Sequence, residues 1–307
     1  MNLDEAIKVA IERKLSDEPV SWVELADKCE VHPEKLRARV RRKLERMRVE
    51  DSTSTKVLLF DIETSPMVTY SWSNSPKFLP EHMIIKDWYV INWAAKWLFD
   101  DKMMTGVVTP EESIQRDDER IVKDLWKLLD EADIVIAHFG DAFDIKMMNG
   151  RFLKHGLNMP MSYNSIDTKK VSSRKMRLPS HSLNYVSRYL GLEQKNPTDF
   201  SLWERCMAGE SSALKEMDDY CQQDVKVLED VYLKLRPFIQ PHPQMGFNIE
   251  ADAKICPTCG HDDLEKQGVY QTTVNQYDGF RCKKCGSITR SRKALPRSEH
   301  ITSSVPR

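Results

Sequence analysis

No apolar run in this 307-residue chain reaches the roughly 18 residues that a membrane-spanning helix needs. The most apolar stretch, Val90 to Phe99, is broken by Asn92 and Lys96. The opening segment, MNLDEAIKVAIERK, is charged throughout and lacks a signal-peptide core. Secretion and membrane contact are therefore not expected, and a cytoplasmic protein of a bacterial cell or a phage-infected host is. Net charge is nearly absent as well, at −1, which by itself indicates no partner. No internal repeat is found, and no disulfide framework is expected in a chain of this size without a secretory signal. With 40% hydrophobic and 30% charged residues, a sizeable core is possible and wholesale disorder is not expected.

The distribution of charge says more than its sum. Residues 35–48 hold 8 Lys/Arg against 1 acid, and residues 281–307 do the same. The remainder has 30 basic and 45 acidic residues. An acidic body with two basic ends is the asymmetry expected when the ends grip a polyanion; the alternative is two solvated charged faces.

Composition divides the chain into segments. Residues 1–48 read as a helical domain, and the polar residues 49–55 as a linker. Residues 56–236 alternate apolar strand-like runs with amphipathic helical ones, the mark of an α/β domain. The proline-rich residues 237–253 read as a second linker, 254–289 carry two cysteine pairs, and 290–307 form a basic tail expected to be disordered.

Three acidic motifs stand out in the central segment. In VLLFDIET, Asp61 and Glu63 sit two apart at the end of an apolar strand, so both side chains point to one face. Adjacent carboxylates repel each other and need compensation, which a divalent cation supplies; the alternative is a strand end entering a polar turn. In IVIAHFGDAFDIKMM a buried strand enters a turn and a helix begins, with Asp141 and Asp144 available at the strand's C-terminal end. Asp141 fits the helix N-cap better, and Asp144 falls inside the first turn. In DDYCQQDVKVLEDVYLKL, Tyr220 and Asp224 are four apart and share a helical face with Leu228 and Tyr232. An acid on an otherwise apolar face is either paired, metal-bound or at the edge of the helix.

DxE, then FD, then YxxxD, in this order, resembles the DEDD superfamily of 3′→5′ exonucleases, tyrosine subclass. The match is similar to the proofreading exonuclease domains of family B DNA polymerases, with SIDTKKV and HSLNYVSRYLGL as supporting phrases. The resemblance covers residues 56–236. It implies a ribonuclease H-like fold, a mixed sheet flanked by helices, and two-metal hydrolysis with Mg²⁺ or Mn²⁺. It assigns Asp61 to bridging both ions, Glu63 and Asp224 to the nucleophile-side ion, Asp144 to the second ion through water, and Tyr220 to orienting the attacking water. Asp167, His138 and His181 are read as structural. One departure concerns the second motif. The family's phrase is HNG; here it is HFG, with Phe139 in place of the Asn. The Asn positions substrate or the loop, so strand preference is not carried over. Polymerase motifs are not recognisable, so a stand-alone nuclease of replication, recombination or repair is expected. Its substrate would be DNA, single-stranded or at 3′ ends, with RNA as an alternative. A structure-specific endonuclease and a non-catalytic DNA-binding scaffold are the other readings.

The two ends fit nucleic-acid contact. Cys256, Cys259, Cys282 and Cys285 form Cx₂C–x₂₂–Cx₂C, each pair followed by Gly (Gly260, Gly286), and this predicts a zinc ribbon holding one structural Zn²⁺. Tyr270, Tyr277, Phe280, Arg281, Lys283 and Lys284 are its candidate nucleic-acid contacts; a stability module or protein-docking knob is the alternative. The run VSWVELADKCEVHPEKLRARVRRKLER resembles a helix-turn-helix. Leu25, Ala26, Val31, Leu36 and Val40 would pack inside. Arg37, Arg39, Arg41, Arg42 and Lys43 would meet phosphates or a groove.

Overall fold

The computed structural model describes residues 2–15, 20–29, 31–33, 36, 40, 55–192, 198–246 and 254–296. Arg37, Arg39, Arg41, Arg42 and Lys43, and the tail from 297 onward, lie outside the described residues. The chain divides into a small unit within Met1–Ser54 and a large one comprising Thr55–Met245 and Ala253–Arg307.

In the small unit, α1 (Leu3–Leu15) repeats Ala6/Ala10 and Ile7/Ile11 at a spacing of four, which puts an apolar stripe on one face. α2 (Trp22–Lys28) contributes Leu25 and Ala26 to the same cluster. Leu36 and Val40, both helical, complete it, with Val31 packed against it.

The large unit is built around β1 (Val57–Thr64), whose apolar start, VLLF, is buried on both faces. It pairs antiparallel with β4 (Val90–Trp97) and parallel with β6 (Ile134–Ala137). β5 (Met104–Val107) extends the antiparallel side and β7 (Asn164–Asp167) the parallel side, giving the order β5-β4-β1-β6-β7. Between β1 and β4 the chain makes a small ribbon of β2 (Val68–Thr69) and β3 (Ile84–Lys86).

Alternation along β1 sorts its side chains onto two cores. Leu58, Phe60 and Ile62 join a cluster with Ile121, Val122, Leu125 and Leu129, whose 3.6-residue spacing makes one face of α4 (Glu119–Glu131). A shorter α3 (Pro110–Gln115), closed by a capping box on Thr109 and Glu112, precedes it. α5 (Asp144–Lys154) adds Met148 and Phe152 to that cluster. Val57 and Leu59 face the opposite way, toward Cys221, Val225, Leu228 and Tyr232 of the long α9 (Ser211–Leu235). Between them in sequence lie α6 (Thr168–Lys175), α7 (Leu183–Tyr189) and α8 (Phe200–Met207). The result is a mixed sheet with helices on both faces, an RNase H-like fold. Removing a fully buried ring such as Phe60 by Ala would cost about 3–5 kcal/mol.

The charged interruption of β4, Lys96, is internalised with a partner. The Lys96 ammonium meets the Glu229 carboxylate of α9, which also accepts the Phe99 N–H at 2.9 Å. At the other face, the fully buried Asp118 accepts the Val90 N–H at 2.8 Å and contacts the Arg151 guanidinium and His155 Nε2, the latter at 2.7 Å. This pins the start of α4 to the sheet and to α5.

After α9 the chain turns at Arg236–Phe238 and reaches the cysteine pairs. There β8 (Leu264–Gln271), β9 (Gln276–Cys282) and β10 (Ile288–Arg290) form a three-stranded antiparallel sheet. The module is held against the end of α9. The buried Arg236 donates to the Thr258 carbonyl at 2.8 Å, and the Met245 N–H to the Pro257 carbonyl at 2.8 Å.

Candidate active site

β1 and β6 run parallel, so their C-terminal ends open on the same edge of the sheet. β1 ends in Asp61 and Glu63, on the face that carries Val57 and Leu59. α9 crosses that face and brings Asp224 to it. Asp61, Glu63 and Asp224 each offer an oxygen, and these atoms all lie within 4.8 Å of one another. Asp224 is buried at 3% exposure; Asp61 and Glu63 are half-buried. β6 leads through His138–Phe143 into α5, whose first residue is Asp144. The Asp144 carboxylate reaches back to β1 and accepts the N–H of Ile62, the residue between the two acids, at 3.3 Å. Burial pushes its pKa up to about 7. Asp61, Glu63, Asp144 and Asp224 line one cavity of about 290 Å³, together with His138, Phe143, Lys169 and Ser182.

The structure thus brings the four sequence-selected acids into one cavity. Tyr220 lies one turn before Asp224 but lines a neighbouring cavity of about 340 Å³, with Lys215, Asp219 and Gln223. Its ring meets Trp203 edge-on at 6.4 Å. Beneath Asp61 sits the Cys221 thiol, 3.5 Å from the Asp61 carbonyl, and burial raises its pKa well above the usual thiol range.

Asp141 does not cap α5. Phe143 holds the N-cap position, and the Asp141 carboxylate is drawn instead to Lys170 Nζ at 2.6 Å. Asp167 is structural: its Oδ1 caps α6 through the N–H groups of Lys169 (3.0 Å) and Lys170 (3.1 Å) and also takes the Phe139 N–H (3.0 Å). His138 braces the same corner, with Nδ1 at 2.8 Å from Thr168 Oγ1 and Nε2 at 2.9 Å from the His181 carbonyl. His181 in turn meets Ser172 Oγ at 3.0 Å. Sequence reasoning missed Lys169, Phe143 and Ser182 as parts of the cavity wall. The basic pair Lys169-Lys170 directly after a strand-end Asp-Thr was the available signal.

The four cysteines of the C-terminal module also converge. Their sulfurs lie within 4.8 Å of one another, with Cys256–Cys285 at 3.7 Å and Cys259–Cys282 at 3.6 Å, and none forms a disulfide. Gly260 and Gly286 take φ of +71° and +76°, which turns the chain back after each pair. Four thiols at this spacing fit a tetrahedral thiophilic ion. Of the candidate nucleic-acid contacts, Arg281, Lys283 and Lys284 are exposed. Arg281 is steadied by Gln267 and the Gly286 carbonyl, and Lys283 faces Asp263 at 3.7 Å. Phe280 is a correction: it is buried at 8% exposure under Lys254 and belongs to the module's interior.

Residues 95–236 match the model of the RNase_H superfamily, a span that includes Asp144, Tyr220 and Asp224 and begins after Asp61 and Glu63. Among solved structures, the chain is similar to the family B DNA polymerase from the hyperthermophilic archaeon Pyrobaculum calidifontis, with 14% identity and a TM-score of 0.45. That match covers 73% of this chain and 32% of the polymerase, so the chain spans about a third of its length. No curated protein matches. The family match spans just under half of the chain. Among the described residues, no helix is long and apolar enough to cross a membrane.

Proposed function

We propose that this protein is a metal-dependent 3′→5′ exonuclease of the tyrosine DEDD subclass, which shortens single-stranded DNA to 5′-mononucleotides. The observation that carries the reading is the convergence of Asp61, Glu63 and Asp224 within 4.8 Å, with Asp144 bonded to the backbone between the first two. An all-carboxylate donor set at that separation fits hard divalent cations, Mg²⁺ or Mn²⁺. Bound there, such ions would neutralise the acids, activate a water and stabilise the leaving oxygen. Asp61, Glu63, Asp224 and Asp144 would hold them. Tyr220, which lines the neighbouring cavity one turn before Asp224, is assigned by the family resemblance to orienting the attacking water; a phenol ordinarily titrates near 10 and is a poor base at neutral pH. In the C-terminal module, Cys256, Cys259, Cys282 and Cys285 would hold one Zn²⁺; four thiolates leave no open position, so its role is structural. The N-terminal helical unit and the exposed Arg281, Lys283 and Lys284 are proposed to grip nucleic acid.

The test is digestion of 5′-labelled single- and double-stranded DNA and RNA with Mg²⁺, Mn²⁺ or EDTA, beside Asp61→Ala. A metal-dependent ladder of shortened products that is lost in the variant is expected, and the best substrate names the strand. A single internal cut would turn the reading to a structure-specific endonuclease. Tight binding without cleavage of any strand would turn it to a DNA-binding scaffold.

A further inference from the structure

The corner between β6 and α5 holds a residue whose backbone and side chain are both unusual. Phe139 has φ of +73°, a conformation that costs a non-glycine residue about 1 kcal/mol or more. It is held there from both sides. Its N–H donates to Asp167 Oδ1 at 3.0 Å, and its carbonyl accepts from the N–H groups of Ala142 (3.1 Å) and Phe143 (3.0 Å). Core packing does not account for the strain, because the side chain is 42% exposed. What the ring meets is Lys169, whose ammonium lies 3.7 Å from the ring centroid. The same Asp167 oxygen that fixes the Phe139 N–H also takes the Lys169 N–H at 3.0 Å. One carboxylate oxygen therefore sets the backbone of both partners. The neighbouring Lys170 is engaged with Asp141, whereas the Lys169 ammonium rests on the ring and its side chain lines the carboxylate cavity.

The chemistry of the cavity explains why such an arrangement is useful. Four carboxylates converge there, and while no cation neutralises them a phosphodiester strand is repelled. An ammonium at the wall offsets that repulsion, and a ring face holds an ammonium by cation–π attraction without neutralising it, as a carboxylate partner would. We propose that Lys169, held by Phe139, is a substrate-binding residue that grips a backbone phosphate of the strand entering the cavity, and that Phe139 is its positioning residue. This rests on the nuclease reading above. A contact of this kind goes to the backbone and is blind to sequence.

The test reads binding apart from hydrolysis. A fluorescent oligothymidine is titrated by anisotropy into the full chain in EDTA, across a salt series, for the unsubstituted protein, Lys169→Ala, Lys169→Arg, Phe139→Leu and Phe139→Ala. Lys169→Ala should weaken binding roughly tenfold and flatten the slope of log affinity against log salt by about 0.7, the value for one lost phosphate contact on a single strand. Lys169→Arg should restore most of both. The Phe139 variants should weaken binding about threefold while retaining the slope, since the charge remains. Melting curves identify any variant that fails to fold, and the Arg and Leu replacements remain informative if the Ala ones do. Equal affinity and equal slope for Lys169→Ala would overturn the proposal, as would absence of oligonucleotide binding by the unsubstituted protein. Steady-state digestion then separates the two claims. An active enzyme whose KM is unmoved by Lys169→Ala refutes the subsite alone; an inactive enzyme with a Lys169-dependent salt slope refutes the exonuclease and keeps the strand contact.

Discussion

Replacing Asp61 by Asn should make the metal-free protein more stable while removing the proposed hydrolysis. Oxygens of Asp61, Glu63 and Asp224 lie within 4.8 Å of one another. Two unit charges at that distance repel by about 3 kcal/mol at an effective dielectric of about 20. Asp61 faces two such partners, but it is half-buried, so water and salt screen much of the repulsion. A net relief of about 1–3 kcal/mol is expected when its charge is removed and its shape kept. For a unit of this size each kcal/mol moves Tm by roughly 2–4 °C, so the variant should melt about 2–12 °C higher in EDTA. Saturating Mg²⁺ should reverse the order. A cation at a hundred times its Kd stabilises the unsubstituted protein by about 2.7 kcal/mol, and the variant, missing a ligand, should gain little. Thermal melts by circular dichroism, with EDTA and with Mg²⁺, give all four values, and the labelled-strand assay gives activity. If the variant melts at or below the unsubstituted protein in EDTA, or gains as much from Mg²⁺, the acids are not held against their own repulsion for a cation.

Tyr220→Phe should slow hydrolysis about tenfold or more and leave the Mg²⁺-induced rise in Tm intact; an unchanged rate would remove its role. Burial lowers the His242 pKa to about 4, with Nε2 3.0 Å from the Tyr232 hydroxyl. The folded chain then refuses a proton that the unfolded chain accepts below about 6.5, so stability should fall, by up to roughly 3 kcal/mol, as pH drops from 6.5 toward 4. His242→Asn should flatten that slope in melts across the range. Gly209 has φ of +77°, and a Cβ there would sit 2.8 Å from the Pro110 carbonyl. Gly209→Ala should therefore cost about 1–3 kcal/mol in denaturant titration without altering metal dependence. Deleting residues 1–48 should weaken oligonucleotide binding and reduce its salt dependence; an unchanged slope would deny the N-terminal unit a part in the grip.

Much of this arrangement is legible in the sequence because it depends on short-range periodicity. The two-residue spacing of Asp61 and Glu63 and the four-residue spacing of Tyr220 and Asp224 fix faces of a strand and a helix. Buried strands then bring those faces to one edge of the sheet. Contacts that depend on distant segments are not legible. Asp141 fits a helix cap until Lys170, 29 residues away, takes its carboxylate. Phe280 reads as an exposed aromatic of a hairpin until the strand's alternation turns it inward. The four-residue spacing that aligns Tyr220 with Asp224 also separates them by a full turn along the axis, and Tyr220 opens on a different cavity wall. The Phe139–Lys169 pair has no sequence signature, because Asp167, at the end of another strand, brings the two residues together. The β2–β3 ribbon is too short to show a period.

The join between α9 and the cysteine module bears on how the protein can be dissected. Arg236 is 4% exposed, and its guanidinium ends on the Thr258 carbonyl inside the first cysteine turn. Its Nε already lacks a hydrogen-bond partner. Truncation ahead of Cys256 would take away that acceptor together with the module that packs at Pro237, beside Arg236. The damage would begin at the end of α9, the helix that also supports Asp224, about 18 Å along its axis. The cysteine module is thus bonded to the end of the helix that carries Asp224. A fragment meant to keep the carboxylate cavity should be cut after it, not before.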